Sequence, residues 1–155
     1  MKDLKARDLM SGEVTGVSPK AIVLEAAKLI LASGMSGLPV IDDHGRLIGI
    51  VSEADLLRRP PELASHVGDS KEFFTAGLAD RFIDSFERRV EEVMTTKVAS
   101  VLCNTPLMAI AELLETMRLK WVPVTENGKV VGSVTRTDVL RAFVVEAETP
   151  ASRAA

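Results

Sequence analysis

Two short segments place a carboxylate three residues after a hydroxyl: Ser52-Glu53-Ala54-Asp55 and Thr135-Arg136-Thr137-Asp138. Two chemistries fit that spacing. At a helix start, the hydroxyl accepts a backbone hydrogen bond from one turn in while the carboxylate reaches back, a capping box that satisfies two otherwise orphan N–H groups. The same geometry suits a ligand. Free N–H groups and partial positive charge at a helix N-terminus attract a phosphate, and a carboxylate one turn in can accept hydrogen bonds from the 2′- and 3′-hydroxyls of a ribose. Taken alone, the spacing favours the cap. Other chemistry is sparse. His44 sits in a turn, His66 in a polar loop, and with Cys103 they lack metal-ligand spacing. No nucleophile–base pair, phosphate loop or Gly-rich fingerprint can be argued, so neither a metal site nor an enzyme is expected.

These segments are parts of a longer repeat. Asp8-Leu9-Met10 returns as Glu92-Val93-Met94, and Pro39-Val40 returns as Pro123-Val124, both at an offset of 84 residues. Gly45 to Arg58 returns as Gly128 to Arg141 at an offset of 83, one residue having been lost in the turn. A constant offset identifies two similar units, expected to face each other about a pseudo-two-fold axis.

The elements that must position the hydroxyls and acids follow from periodicity. In the first copy, Val14 to Val17 reads as a short strand, and Ser18-Pro19 as a helix start. Ile22, Ala26, Leu29 and Ile30 mark an amphipathic helix ending at Gly34. A hairpin follows, Leu38 to Ile41 and Leu47 to Val51 around Asp42-Asp43-His44-Gly45, then a helix from Ser52. The second copy repeats the plan. Val98 to Val101 is the strand, and Asn104-Thr105-Pro106 opens a helix bearing Leu107, Ile110, Ala111 and Leu114. Its hairpin is Trp121 to Val124 and Val130 to Val134 around Glu126-Asn127-Gly128, and its last helix runs from Thr135 to about Val145. The fold class expected is α/β (α+β), two β-α-β-β-α units with a helical insertion between them.

The doubled pattern of small-apolar-Pro-Val, an acidic turn with Gly, and apolar-Gly-apolar-Val-[Ser/Thr]-x-x-Asp resembles a tandem pair of cystathionine-β-synthase (CBS) domains, the Bateman module. The resemblance covers roughly residues 4–59 and 90–145. It implies a regulatory, non-catalytic module that binds adenosine-containing ligands in clefts between the two motifs and often dimerises into a disc. It also shifts the balance for the two acids: Asp55 and Asp138 become ribose ligands, with Ser52 and Thr135 as polar contacts. One implied cleft joins Thr135, Arg136, Thr137 and Asp138 to Lys20, Met35, Ser36 and Gly37. The second joins Ser52 and Asp55 to Asn104, Leu119, Lys120 and Trp121. Arg136 and Lys120 are candidate phosphate partners. Trp121, aligned with Gly37, either stacks on a purine or fills the space where one would sit.

The implied division is a first motif at 1–59, a helical insertion at 60–89, a second motif at 90–146 and a tail at 147–155. In the insertion Phe74, Leu78, Phe82 and Phe86 recur at four-residue spacing from about Ser70 to Arg89, one apolar stripe. It packs either on its own module or against another subunit. Composition bounds the partners. A net charge of −3 offers no basic face for nucleic acid. The longest uncharged stretches fall short of the about 20 residues of a spanning helix, and the single cysteine suits a reducing compartment. A cytoplasmic homodimer is expected, sensing AMP, ADP, ATP or an adenosyl metabolite and signalling to a separate, unidentified protein. The competing reading is a structural or dimerisation protein with unoccupied clefts.

Overall fold

The structure, a computed structural model, describes residues 3–58 and 76–149. In chain order the elements are α1 (Ala6–Leu9), α2 (Val23–Ser33), β1 (Gly37–Ile41), β2 (Leu47–Ser52), α3 (Glu53–Leu57), α4 (Ala76–Asp84), α5 (Val90–Val93), β3 (Val101–Leu102), α6 (Leu107–Thr116), β4 (Trp121–Glu126), β5 (Lys129–Thr135) and α7 (Arg136–Glu148). The fold is the expected mixture of small sheets and helices. It forms two compact units, neither continuous in sequence.

One unit gathers Thr15–Asp42 and Ile48–Lys97. Strands β1 and β2 form its sheet. Val17, Val23, Ala26, Ile30, Leu38, Val40, Val51, Leu56 and Val90 form its core. The leading strand expected at Val14 to Val17 is reduced to one parallel bridge, Val17 to Val40. Helix α2 begins later than Ser18-Pro19 suggested. Its entry is occupied by backbone pairing: Val23 donates to the Arg88 carbonyl at 2.8 Å, Val90 to Ala21 at 2.8 Å and Glu91 to Pro19 at 3.0 Å. These bonds hold residues 19–22 extended or turned instead of helical. Gly34 ends α2 in the left-handed conformation, φ 71°.

The other unit gathers Met1–Val14, Asp43–Leu47 and Val98–Ala155. Its sheet runs β3-β4-β5. Strand β3 lies parallel to β4 with Val101 opposite Val124, and β4 lies antiparallel to β5 from Trp121–Thr135 to Glu126–Lys129. Asn127 and Gly128 both take positive φ, 53° and 79°, as a tight hairpin turn requires. Ala6, Val101, Leu107, Ile110, Leu114, Val122, Val124, Val134, Val139 and Ala142 form the core.

The segments that open each copy form short helices, α1 and α5, and dock on the unit built mainly from the other copy. Ala6 donates to Thr105 at 2.9 Å, Arg7 to Cys103 at 3.0 Å, and Leu107 to Leu4 at 2.8 Å. Each ends in a methionine seated on a strand glycine. A Cβ at Gly132 would lie 2.7 Å from Met10 Sδ and 2.6 Å from the Ser11 carbonyl; one at Gly49 would lie 2.8 Å from Met94 Sδ and 3.0 Å from the Thr95 carbonyl. Backbone bridges Ser11–Ser133 and Ile50–Thr95 run beside these contacts.

The insertion is helical over α4 and closes in a tight 3-10 turn, Ser85–Glu87, before α5. The Phe82 and Phe86 rings lie 5.9 Å apart, and Phe86 packs against the core of its own unit. Phe73, Phe74, His66 and Pro60-Pro61 lie outside the described residues, as does the end of the expected tail.

Gly132→Ala is expected to cost about 1–3 kcal/mol, because a backbone carbonyl blocks the new methyl. Gly12, with nothing within 4 Å of its Cβ position, supplies the control: Gly12→Ala should leave the denaturation midpoint nearly unchanged. Equal midpoints for the two variants would contradict the close approach.

Candidate functional site

Each acid sits one turn into a helix whose cap is the hydroxyl three residues earlier. Ser52 caps α3 from extended backbone, φ −115° and ψ 166°, and its Oγ accepts the Asp55 N–H at 3.2 Å. Asp55 Oδ2 accepts the Ser52 N–H at 2.9 Å and the Ser52 hydroxyl at 3.0 Å. Thr135 caps α7 in the same way, Oγ1 accepting the Asp138 N–H at 3.1 Å and Asp138 Oδ2 accepting the Thr135 N–H at 2.8 Å. Both capping boxes are therefore formed.

The helix starts offer fewer free amides than a bare N-terminus. The first helical amide is taken by a carbonyl from the residue just before the β-strand: Glu53 donates to Ser36, and Arg136 to Lys120, both at 2.9 Å. With the cap and third-position amides also bonded, the amides of Ala54 and Thr137 are what each first turn leaves for an anion among the described residues.

The second carboxylate oxygens distinguish the two sites. Asp138 Oδ1 meets Arg141 Nη1 at 3.2 Å, an i,i+3 pair whose arginine side chain is 67% exposed. Asp55 Oδ1 meets Arg58 Nη2 at 3.4 Å and also accepts the Thr95 hydroxyl at 3.3 Å. Asp55 is buried, its side chain 4% exposed against 21% for Asp138. The sequence reading missed Arg58, Arg141 and Thr95 as partners of the acids. The signal was present in the repeat, since both acids are followed by Arg at the third position and both docked methionines by a hydroxyl residue, Ser11 or Thr95.

The remaining candidates divide between the units. Lys20, Met35, Ser36 and Gly37 belong with Ser52 and Asp55; Asn104, Leu119, Lys120 and Trp121 belong with Thr135, Arg136, Thr137 and Asp138. Within the first group, Gly37 is not an open position. A Cβ there would lie 2.9 Å from the Val51 carbonyl and 3.2 Å from Ser52 Cα, so its missing side chain accommodates the hairpin. In the second group Trp121 stands opposite Thr135 and is buried. The Arg136 Nε–H donates to the Leu119 carbonyl, which ties this guanidinium to the edge of β4. Lys120, Lys20 and Asn104 are exposed. Among the described residues no three His, Cys, Asp or Glu side chains are grouped to hold a metal ion, and no helix is long and apolar enough to cross a membrane.

The chain matches the CBS domain family over residues 6–62 and 90–145 and belongs to that family. It carries the domain twice, and its structural relatives are CBS pairs. The chloroplastic CBS domain-containing protein CBSX2 of Arabidopsis thaliana is 27% identical over 135 residues, 81% of this chain and 57% of that protein. The crystal structure of CBSX2 aligns with a TM-score of 0.75 at 28% identity, covering 94% of this chain and 97% of that one. A structure of CBSX2 in complex with AMP aligns with a TM-score of 0.71 at 28% identity, covering 93% and 98%. L-aspartate semialdehyde sulfurtransferase of Methanocaldococcus jannaschii is 25% identical over 138 residues, 88% of this chain but 23% of that enzyme. The chain thus spans only part of the length of these curated relatives.

Loss of the two acids should differ in cost. Asp138→Ala is expected to destabilise by about 1 kcal/mol, the ordinary value of a lost cap. Asp55→Ala should cost roughly 2 kcal/mol or more, because it removes a buried carboxylate that serves the Ser52 amide, the Ser52 hydroxyl and the Thr95 hydroxyl. Urea midpoints at unchanged slope measure both; a larger loss for Asp138→Ala would overturn the ranking.

Proposed function

We propose that this chain is a regulatory module that binds an adenosine-containing ligand, AMP, ADP, ATP or an adenosyl metabolite, and passes its state to a separate protein. The observation that carries the reading is the doubled hydroxyl–acid helix start in a CBS pair, together with a relative of 28% identity whose structure holds AMP. Asp138 is the better placed acid. Its Oδ2 stays on the cap while Oδ1, held among the described residues only by an exposed arginine, is offered to a ribose hydroxyl. Ion pairs of exposed side chains are weak, so a ligand displaces Arg141 at small cost. The Thr137 amide and the cationic Arg136 or Lys120 supply the phosphate contact. Lys20, Met35, Ser36 and Gly37 in one unit, and Asn104, Leu119 and Trp121 in the other, are the further proposed ligand contacts.

The proposed role is regulatory and not catalytic. The ligand acts by its difference in affinity between two states of the module. A homodimer and a cytoplasmic setting complete the proposal. The competing reading, a structural protein whose sites stay empty, draws on the two satisfied capping boxes, which account for both acids without a ligand.

Calorimetric titration separates the readings. Asp138→Ala is expected to weaken AMP binding about tenfold or more, the loss of one charge-assisted hydrogen bond or two. AMP should bind more tightly than adenosine, and added salt should narrow that gap. A structural role for the acid predicts instead a lowered melting temperature with AMP affinity intact. If AMP, ADP, ATP and S-adenosylmethionine all fail to raise the melting temperature of the wild-type protein, the ligand-binding reading falls.

A further inference from the structure

The two acids occupy equivalent places in the repeat yet are held differently: Asp55 accepts the Ser52 hydroxyl on one oxygen and the Thr95 hydroxyl on the other, and the second of these comes from outside its own helix start. Thr95 follows the docked Met94 and donates its hydroxyl to Asp55 Oδ1 at 3.3 Å. Its backbone is fixed at both ends of the bridge, Thr95 N–H to the Ile50 carbonyl at 2.8 Å and Ile50 N–H to the Thr95 carbonyl at 2.9 Å. The hydroxyl, on an exposed side chain, is thus carried by backbone paired to β2. The matching residue beside Met10 is Ser11, whose backbone bridges Ser133 in the same way, at 3.0 and 3.2 Å. Among the described residues no hydrogen bond joins Ser11 to Asp138.

We infer that Thr95 is a latch on the Asp55 site: a ribose hydroxyl reaches Asp55 Oδ1 only by displacing the Thr95 hydroxyl, so the two sites of one chain differ in affinity. The inference rests on the ribose role proposed for the acids. A carboxylate oxygen can serve several donors, but each must approach along a lone-pair direction. Oδ2 of Asp55 already serves the Ser52 amide and hydroxyl, and Oδ1 serves Thr95 and Arg58. Burial of the acid leaves little room for a further donor, whereas among the described residues Asp138 has a single exposed arginine on its second oxygen. Thr95 is a positioning residue in this scheme; it acts through Asp55.

The test uses the full chain and AMP. Thr95→Val keeps the branched shape and removes the donor; Thr95→Ser keeps the donor. In an Asp138→Ala background, which isolates the Asp55 site, Thr95→Val is expected to tighten AMP binding about tenfold, the equivalent of one hydrogen bond to a charged group. Thr95→Ser should bind as the parent does. Melting temperatures of the variants without ligand report whether each is folded; should Thr95→Val fail to fold, Thr95→Ala in the same background replaces it, with the same tightening expected. Unchanged AMP affinity in the folded donor-less variant overturns the latch while leaving the proposed function standing. Wild-type protein that binds no AMP overturns both. Equal affinity at the two sites of the wild-type protein overturns the latch alone.

Discussion

A methionine sulfur resting on a strand glycine, twice over, is the contact on which each unit depends. Met10 covers Gly132, and Met94 covers Gly49. No side chain fits beneath either sulfur, so the docked segment comes close enough for its backbone to pair with the strand, Ser11 with Ser133 and Thr95 with Ile50. The short helix before each methionine then delivers one small buried residue, Ala6 or Val90, to a core otherwise built from the other copy. Its backbone and that of the residues just before it meet the turn that opens a long helix of that copy, α6 for α1 and α2 for α5. Four-residue helices are not stable alone in water. Here tertiary contacts supply the partners that α1 and α5 lack, and the same contacts postpone the start of α2 to Val23. The flexible thioether suits this role, since it fills an irregular gap over bare backbone with many small dispersion contacts.

The same docking decides the state of the acids. Each carboxylate has one oxygen committed to the cap of its own helix, a local arrangement that four consecutive residues produce unaided. The other oxygen answers to the surroundings. Where Thr follows the docked methionine, its hydroxyl reaches the acid; where Ser does, the acid turns to solvent and an exposed arginine. Two copies of one motif thereby acquire different exposure and different partners on the second oxygen.

Much of this was legible in the chain. The constant offset of the repeat, the alternation of short strands with amphipathic helices, and the turns at Gly45 and Asn127-Gly128 are local signals, written in spacing and in residues tolerant of positive φ. Those signals determined the mixed α/β class, both hairpins, and the hydroxyl–acid pairs at the starts of α3 and α7. Family membership followed from the same residues. Tertiary structure alone decided which copy completes which unit, because α1 and α5 find their partners far away in sequence and carry too few residues to declare themselves. It also decided that Gly37 is crowded by its own hairpin, that the leading strand of the first copy shrinks to a single bridge, and that Asp55 is buried against Thr95 while Asp138 is not. Spacing along the chain specifies what lies within one turn or one hairpin; burial and competition for a lone pair depend on segments that only folding brings together.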